Sequence, residues 1–476
     1  MQHQQARYNP IVAHNVEEDD TPHTGAFVFI TLSWLISGLG AALPIANDFG
    51  AKLVLLLPPV IISILFTLLS PSNGFALWSI GLGFLVTQTG YQIDIGNIRS
   101  SALELILVVL GLILLWHRRR ASNAMPTIPF PGRVFLLLFT AYSTILFVIS
   151  LIQRAPLQAA LLEFKGFLLY PFMAYIVAAG LRTVRLVRWS IGIVVFWYIY
   201  VAAQGIRQFV RGEQGIGWSD LFRASGDYAP INTYGITLGA ICLLVVGIAV
   251  YSSDKRLKLI FGLIATWLFL GSVVSVSRTV WIACASGMMV LLLSGKKAGY
   301  AISVILFGIV LFSSLPTQVS GRIDQFSDSS TEKRQFYFES GLRSWEARWL
   351  TGWSWGSAYW YYPGVGLVPT SDGVAWYHND YLNLAAQTGV IGVALYVGYW
   401  LQTLLATNRW YKDHADSPMS GYVRGAQLAL VVLLVSAGFE HVLWKPDIAG
   451  LVGWVCGLML ACMSLHDDEA LQPRAA

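Results

Sequence analysis

Two arginines have surroundings that suggest a function: one lies between two apolar runs, and the other lies shortly before a predicted helix. Arg278 separates two apolar runs in Ser275-Val276-Ser277-Arg278, and Arg223 precedes Pro230 and Asn232, two residue types that often start helices. A planar guanidinium donates paired, charge-assisted hydrogen bonds to phosphate oxygens. We therefore predict that both arginines bind a phosphate group. The alternatives are an arginine that snorkels to the membrane interface or is simply solvated.

A histidine with proton-transfer potential follows the long segment 316–377, whose first half is polar and charged around Gly321–Arg334. His378 is succeeded by Asn379 and Asp380, which are good caps for a helix that begins there. Asp380 would favour the charged imidazolium, whereas the positive end of the helix would disfavour it. A neutral imidazole accepts a proton from a hydroxyl group at neutral pH, so we predict a catalytic role. The alternative is a histidine with a structural role.

Several further residues are weaker candidates. Arg207 and Arg211 lie one turn apart on a predicted helix and would face the same mouth as Arg223. Glu440 and His441 are expected to form a pair that lines the cavity, and Glu163 and Lys165 to be interfacial or internally paired. The aromatic stretch 345–377, which includes Trp353 and Trp355, is either an interfacial belt, the core of a small domain or a platform for sugar rings.

The elements that position these residues are transmembrane helices. Only 12% of the 476 residues are charged and 55% are hydrophobic, whereas about 25% of a soluble domain is charged. The apolar runs are about 20 residues long, which is the length that crosses a bilayer core. The composition excludes most soluble enzymes, disordered chains and nucleic-acid-binding proteins.

We predict an all-α, polytopic membrane protein with about 14 transmembrane helices and one large outer loop. The candidate spans are 27–45, 52–70, 74–92, 102–116, 134–152, 157–181, 189–210, 231–251, 259–277, 279–294, 299–315, 379–405, 425–443 and 448–466. The ninth and tenth are separated only by Arg278, so a single span could be broken there. The predicted organisation is a tail (1–26), helices 1–11 (27–315), a loop domain (316–377), helices 12–14 (378–466) and a second tail (467–476).

Basic residues predict the orientation of these spans. If both termini are cytoplasmic, the inner segments hold 17 lysines and arginines and the short outer loops hold 6. Cytoplasmic loops carry the excess of Lys and Arg, so we predict both termini inside and the large loop outside. The polar N-terminal residues lack the basic start of a cleavable signal peptide.

The sequence offers no ligands for a cofactor or metal. The four cysteines lie in apolar runs without metal-binding spacing, and no Asp-x-Asp motif is present. The acidic clusters 17–20 and 467–469 fall on the predicted cytoplasmic tails. We therefore expect neither a metal nor a cofactor.

Three stretches resemble the bacterial O-antigen ligase / O-antigen polymerase superfamily of integral-membrane glycosyltransferases. They are the arginine loop 222–232, the Ser-x-Ser-Arg junction 275–278, and a third region that combines 343–345, 352–356, 378–382 and 387–392. The resemblance covers about residues 200 to 460 and implies a GT-C-like membrane fold. One departure is Gln387, where many members carry an acid, so the role of that carboxylate does not transfer.

The resemblance implies glycan transfer at the periplasmic face of the bacterial inner membrane. The donor would be a glycan linked through pyrophosphate to undecaprenol, and the acceptor a glycan or lipid-linked glycan. Arg223 and Arg278 would hold the pyrophosphate, and His378 would orient or deprotonate the acceptor for inverting attack. Arg343 would assist at either substrate, and Arg207, Arg211, Asn379, Asp380, Trp353 and Trp355 are further substrate-binding candidates. Partners would be the lipid bilayer and other polysaccharide assembly proteins.

Two other classes of function remain open at this stage. A transporter or channel for a small anion would spread charges through the membrane on both sides, whereas the candidate residues gather on one predicted side. A non-catalytic scaffold of a polysaccharide assembly complex would leave Arg278 and His378 dispensable. Within the enzyme class, the sequence does not separate a polymerase from a ligase.

Overall fold

The described part of the protein is helical. The computed structural model describes residues 92–95, 98–101, 104, 106–113, 130–155, 157–212, 231–252, 254–293, 329–356, 377–443 and 446–471, together with Ile61 and Trp78. The predicted N-terminal tail and the predicted spans 27–45, 52–70, 74–92 and 299–315 lie almost wholly outside these residues. The count of about 14 spans and the domain boundaries therefore stay predictions.

Two short strands and ten helices with defined bounds follow one another along the described residues, and residues 106–113 are helical as well. The strands are β1 (Gln92–Ile95) and β2 (Ile98–Ser101), and the helices are α1 (Arg133–Ile152), α2 (Leu157–Gly180), α3 (Val184–Arg211), α4 (Ile231–Tyr251), α5 (Lys255–Val273), α6 (Arg278–Leu293), α7 (Ser329–Ala347), α8 (Asp380–Asp413), α9 (Ser420–Ser436) and α10 (Pro446–Leu471). The strands form one antiparallel hairpin in the register Gln92↔Ser101. This hairpin joins two predicted spans, and the predicted helical class is confirmed.

Seven of the described helices are long and apolar enough to cross a bilayer. They are α1 to α5, α8 and the segment Ile448–Leu465 of α10. Only 22% of the apolar window of α1 is buried inside the protein, against 94% for α4. Exposed apolar side chains such as Leu137 and Ile152 on α1 would be unfavourable in water but suit a lipid environment. The protein is therefore a multi-pass membrane protein.

Helix α4 is the centre of the bundle. It is apolar all round, as expected of a helix that is buried on every side, and it packs against α5, α6 and α9. Its crossing with α9 brings Gly247 against Gly425, and a side chain at either position would overlap the partner backbone. Small residues allow this close approach, as is common between membrane helices.

The helical structure is interrupted between α5 and α6, at the place where the sequence suggested a broken span. Helix α5 ends at Val273 and α6 begins at Arg278. Residues 274–277 between them are buried, and Val276 adopts a left-handed conformation with φ of 49°. A β-branched residue rarely adopts this conformation, so the break is held by the surrounding packing.

Helix α8 is interrupted at Gly389, where φ is 65° and ψ is −171°. The segment after α7 supplies partners for the backbone groups freed by this break. Trp353 N–H donates to the Ala386 carbonyl and Ser354 N–H to the Gln387 carbonyl, both at 2.9 Å. In return, Val390 N–H donates to the Trp349 carbonyl at 2.8 Å. A broken helix within a membrane protein requires such compensation.

The polar loop helix α7 rests on the first turns of α8. Tyr377, Leu382 and Ala386 form a small buried cluster against which Trp345 and Trp353 pack. This second cluster is separate from the main core of the bundle. It joins the predicted outer loop to the helix that begins beside His378.

Candidate functional site

The ends of four helices meet at the candidate site. Asn232 lies in the first turn of α4, and Arg278 begins α6. His378 lies two residues before the start of α8, and Glu440 follows the end of α9. Side-chain hydrogen bonds connect these segments, so residues separated by up to about 200 positions are brought together.

His378 is paired with Glu440. The His378 Nδ1 atom lies 3.0 Å from Glu440 Oε1, and 37% of the histidine side chain but only 13% of the glutamate side chain is exposed. A carboxylate only accepts hydrogen bonds, so this contact requires a proton on Nδ1. The other ring nitrogen, Nε2, is then the proton acceptor whenever the imidazole is neutral.

A second carboxylate–histidine pair braces the turn that carries Glu440. Asp380 is fully buried, and its Oδ1 lies 3.1 Å from Nδ1 of His441. Its Oδ2 accepts the backbone N–H groups of Val442 and Leu443, each at 2.6 Å. The backbone N–H of Asp380 donates to the Ala437 carbonyl at 2.8 Å. The start of α8 and the turn after α9 are thereby locked together.

This pairing corrects one expectation and adds detail to another. Asp380 was expected to act on His378, but its carboxylate bonds to His441, and the carboxylate beside His378 belongs to Glu440. Glu440 and His441, which were expected as a pair that lines the cavity, each form a hydrogen bond with a different partner. They are consecutive residues of a turn whose side chains diverge. The two imidazole rings nevertheless lie side by side, with centroids 5.2 Å apart.

A line of hydrogen bonds runs from His378 to the residue beside Arg278. Glu440 Oε2 accepts from Asn232 Nδ2 at 2.6 Å, and Asn232 Oδ1 accepts from Ser277 Oγ at 3.0 Å. Arg278 follows directly and is half-buried. The structure therefore joins the histidine segment, the start of α4 and the arginine junction, three of the stretches that the sequence singled out.

Two of these segments contain strained backbone. His378 has φ of 50° and Val276 has φ of 49°, and neither residue is a glycine. Such conformations cost of the order of 1–3 kcal/mol each and tend to cluster at functional sites. The strain indicates that the orientations of these segments matter more than their local stability.

Glu440 is held as a carboxylate. Its burial would by itself raise the pKa, but the hydrogen bond from His378 and the charges of His378, His441 and Arg334 outweigh burial and lower the pKa from 4.5 to about 2. The Arg334 Nη2 atom on α7 lies 3.5 Å from Glu440 Oε2. Glu440 therefore keeps its negative charge at any physiological pH.

Three predicted substrate-binding residues lie away from this cluster. Arg343 is exposed on α7, nine residues beyond Arg334, and two and a half turns place the two on opposite faces. Trp353 is half-buried and donates its ring N–H to the Ser344 carbonyl at 2.8 Å. Trp355 is fully buried, and its ring N–H donates to the Ser143 carbonyl at 3.0 Å. In this arrangement Trp355 presents no surface to a ligand.

The remaining predicted residues have varied surroundings. Arg207 and Arg211 are exposed in the last two turns of α3. Arg223 lies outside the described residues. Asn379 is the N-cap of α8, as expected, and its side chain accepts the N–H of Leu382 at 3.0 Å. The amide oxygen of Asn379 therefore has a structural role.

A buried polar chain explains the residue that departs from the family pattern. Gln387 donates to Asn383 Oδ1 at 3.2 Å and accepts the Gly356 N–H at 2.6 Å. Asn383 in turn donates to Glu163 Oε2 at 2.9 Å. An amide can both donate and accept, which this position requires. Internal pairing of Glu163 is thus confirmed, as it is for Lys165, whose partner is Glu104.

The sequence missed some members of the site. Asn232 was considered only as a residue that starts a helix, and Arg334 only as part of a polar stretch. The ring of Tyr337, which lies 5.6 Å from that of His378, was not considered. Arg334 and Tyr337 are three residues apart, a spacing that places them on one face of a helix, but nothing in the sequence indicated that this face meets His378.

No metal site emerges in the part of the chain that the structure describes. No group of three or more His, Cys, Asp or Glu side chains lies close enough there to hold a metal ion. The expectation of metal independence stays a prediction.

Comparison with known proteins supports the predicted resemblance. Residues 261–397 match the family model Wzy_C, which is described as O-Antigen ligase. The matched region contains Arg278, Arg343 and His378 and ends before Glu440. No curated protein matches the chain. The resemblance to the O-antigen ligase / polymerase superfamily is confirmed over these residues.

Proposed function

We propose, on the premise that residues 261–397 form an O-antigen ligase domain in a multi-pass membrane protein, that this chain is a polysaccharide glycosyltransferase. It would transfer a glycan from undecaprenyl pyrophosphate to a hydroxyl group of a second glycan or lipid-linked glycan. The reaction would take place at the periplasmic face of the bacterial inner membrane, with both termini of the chain cytoplasmic.

The observation that carries this proposal is the line of hydrogen bonds from His378 to Ser277, beside Arg278. The network connects a histidine that is able to accept a proton with the residue next to an arginine that is able to bind an anion. Transfer from a lipid pyrophosphate needs both, because a hydroxyl group must be deprotonated while negative charge builds on the leaving group.

Arg278 would bind the donor pyrophosphate. It is the first residue of α6, so the positive end of the helix dipole adds to its own charge. Arg223, from the predicted loop before α4, would act as the second cation. Pyrophosphate leaves readily when its charge is neutralised, so the proposed reaction requires neither a metal nor a cofactor.

His378 would activate the acceptor. Its Nε2 would take the proton of the acceptor hydroxyl while the oxygen attacks the anomeric carbon from the face opposite the pyrophosphate. The bond between that carbon and the pyrophosphate oxygen breaks, and its electron pair stays with the pyrophosphate, which departs on undecaprenol. The products are a new glycosidic bond with inverted configuration, undecaprenyl pyrophosphate and a protonated His378.

Complementation of a deletion strain tests this proposal. We expect Arg278→Ala and His378→Ala to reduce glycan transfer at least 100-fold, because each removes a group needed in the transition state. Lipid-linked glycans that are not transferred would then accumulate in the membranes, from which they can be extracted and identified. Single lipid-linked repeats would identify a polymerase and long lipid-linked chains a ligase.

Matched controls are available at the far end of α8. Arg409 is exposed there, and His414 stacks on Trp410. We expect Arg409→Ala and His414→Ala to transfer glycan at rates near wild type. Full transfer by both Arg278→Ala and His378→Ala at normal protein levels would refute the catalytic assignment and leave a scaffold role.

A further inference from the structure

The carboxylate that contacts His378 lies outside the region matched by the family model. Glu440 follows α9, 62 residues after His378, and its Oε1 lies 3.0 Å from His378 Nδ1. Its other oxygen is also occupied, by Asn232 at 2.6 Å and by Arg334 at 3.5 Å. One carboxylate thus contacts the segments before α8 and at the start of α4, together with the loop helix α7.

Glu440 is itself held in place. The turn that carries it is anchored to the start of α8 by the buried carboxylate of Asp380, which binds His441 and two backbone N–H groups. His378 and Glu440 therefore stand on two ends that cannot move independently. Rigid support of this kind is what a positioned catalytic histidine requires.

We propose that Glu440 is the positioning residue of His378, fixing the tautomer that leaves Nε2 free to accept the proton of the acceptor hydroxyl. The proposal rests on the proposed function and deepens it. The carboxylate also stabilises the imidazolium that forms when His378 takes the proton. Through Asn232 and Ser277, the same carboxylate sets the spacing between His378 and the junction at Arg278.

Other charged or titratable groups surround His378 and bear on any pH effect. His441 and Tyr337 face its ring at centroid distances of 5.2 and 5.6 Å. Arg334 contacts Glu440, and Asp380 contacts His441, so these two charged groups act on the His378 ring indirectly. Replacing Glu440 by Gln leaves all of these in place, so a change in pH dependence would report on the lost carboxylate.

The first experiment measures transfer by the purified full-length chain. The donor probe is the glycan-lipid extract of the deletion strain, and release of undecaprenyl pyrophosphate is followed by mass spectrometry. We expect Glu440→Gln to lower kcat at least 30-fold with the donor KM within threefold of wild type. The acidic limb of its kcat profile moves to lower pH, because the imidazolium loses its facing carboxylate.

Two variants frame this result. Glu440→Asp keeps the charge, so it retains the wild-type pH profile and recovers part of kcat. Glu339→Gln removes an exposed carboxylate of α7 that bonds only to Gln335 among the contacts described, and it behaves as wild type. A Glu440→Gln variant with wild-type kcat, or with a reduced kcat and an unshifted profile, would overturn the proposal.

A second measurement needs neither turnover nor a folded variant at position 440. In ¹⁵N-histidine-labelled wild-type protein, the neutral His378 ring, assigned by its loss in His378→Ala, should carry its proton on Nδ1. A proton on Nε2 instead would overturn the proposal. If the wild-type chain releases no undecaprenyl pyrophosphate, the proposed function fails, while this spectrum still decides the role of Glu440.

Discussion

At the scale of single residues, burial divides two similar carboxylate–histidine pairs into different roles. Asp380 is fully buried, and its two carboxylate oxygens are bonded to His441 and to two backbone N–H groups. Glu440 faces a histidine whose side chain is 37% exposed, so that pair can meet a substrate. The first pair stabilises the site, and the second is the one we place in the chemistry.

The lowered pKa of Glu440 predicts a specific pH dependence of stability. A pKa of about 2 against 4.5 means that Glu440 contributes stability above about pH 4.5, which is lost as the pH falls towards 2. The full contribution is at most about 3 to 4 kcal/mol, because each pKa unit corresponds to roughly 1.36 kcal/mol. Thermal unfolding followed by tryptophan fluorescence should show wild type more stable than Glu440→Gln at pH 6.

The difference in stability between wild type and Glu440→Gln should decrease as the pH is lowered towards 3, because Glu440 becomes partly protonated. Other carboxylates titrate in both proteins alike, so they do not contribute to this difference. Glu339→Gln serves as the control, because its exposed carboxylate has no comparable network. A difference in melting temperature that stays constant between pH 6 and pH 3 would contradict the prediction.

At the scale of elements, a turn and a broken helix form one unit. Gly352 and Gly389 both adopt left-handed conformations, with φ of 70° and 65°. A Cβ atom at Gly352 would overlap the backbone of Gln387, and one at Gly389 would overlap the backbone of Leu350. Each glycine thus allows the other segment to approach, and together they bring the loop against the start of α8.

We expect Gly389→Ala and Gly352→Ala each to destabilise the protein by more than about 2 kcal/mol. Both would add a left-handed alanine and a backbone overlap. The control is Gly262→Ala in the interior of α5, where a Cβ atom meets nothing within 4 Å. That change should be neutral or stabilising by up to about 1 kcal/mol. Melting temperature and protease sensitivity of the 329–356 segment measure the effect, and wild-type behaviour of Gly389→Ala would contradict it.

At the scale of the whole molecule, the bundle has two chemically different ends. The site lies where α4, α6 and α8 begin and α9 ends. At the opposite end, the buried Arg424 near the start of α9 donates to Asn408 on α8 and to the Val290 carbonyl on α6. The rings of Tyr251 and Tyr411 also meet there, with centroids 5.3 Å apart. Arg278, His378 and Glu440 thus lie at one end of the bundle, as the proposed reaction at one side of a membrane requires.

This polarity predicts the labelling of introduced cysteines in intact cells. The positive-inside pattern predicts that the end of the bundle at Arg424 faces the cytoplasm and that α7 lies in the periplasm. A membrane-impermeant maleimide should label Glu339→Cys but should label Asp413→Cys only after the membrane is broken. The native thiols are buried or half-buried, which limits background. The reverse labelling pattern would contradict the proposed orientation.

The sequence by itself determined the class of protein and most of its ingredients. Scarce charge and apolar runs of about 20 residues predicted a multi-pass helical protein, because backbone groups in lipid must bond within their own segment. The same scarcity made Arg278 and His378 conspicuous, and local rules predicted the cap at Asn379 and the break before Arg278. These features depend on neighbours along the chain, so a sequence displays them directly.

Only the tertiary structure decided which partners these residues have. Asp380 is two positions from His378 yet bonds to His441, while Glu440, 62 positions away, bonds to His378. The buried Trp355, the outward Arg343 and the Gln387 that links Asn383 to Gly356 were equally invisible in the sequence. Such pairings depend on how each helix is rotated and how its end is capped against the others. Hydropathy sets which segments enter the membrane, but packing sets which side chains meet there.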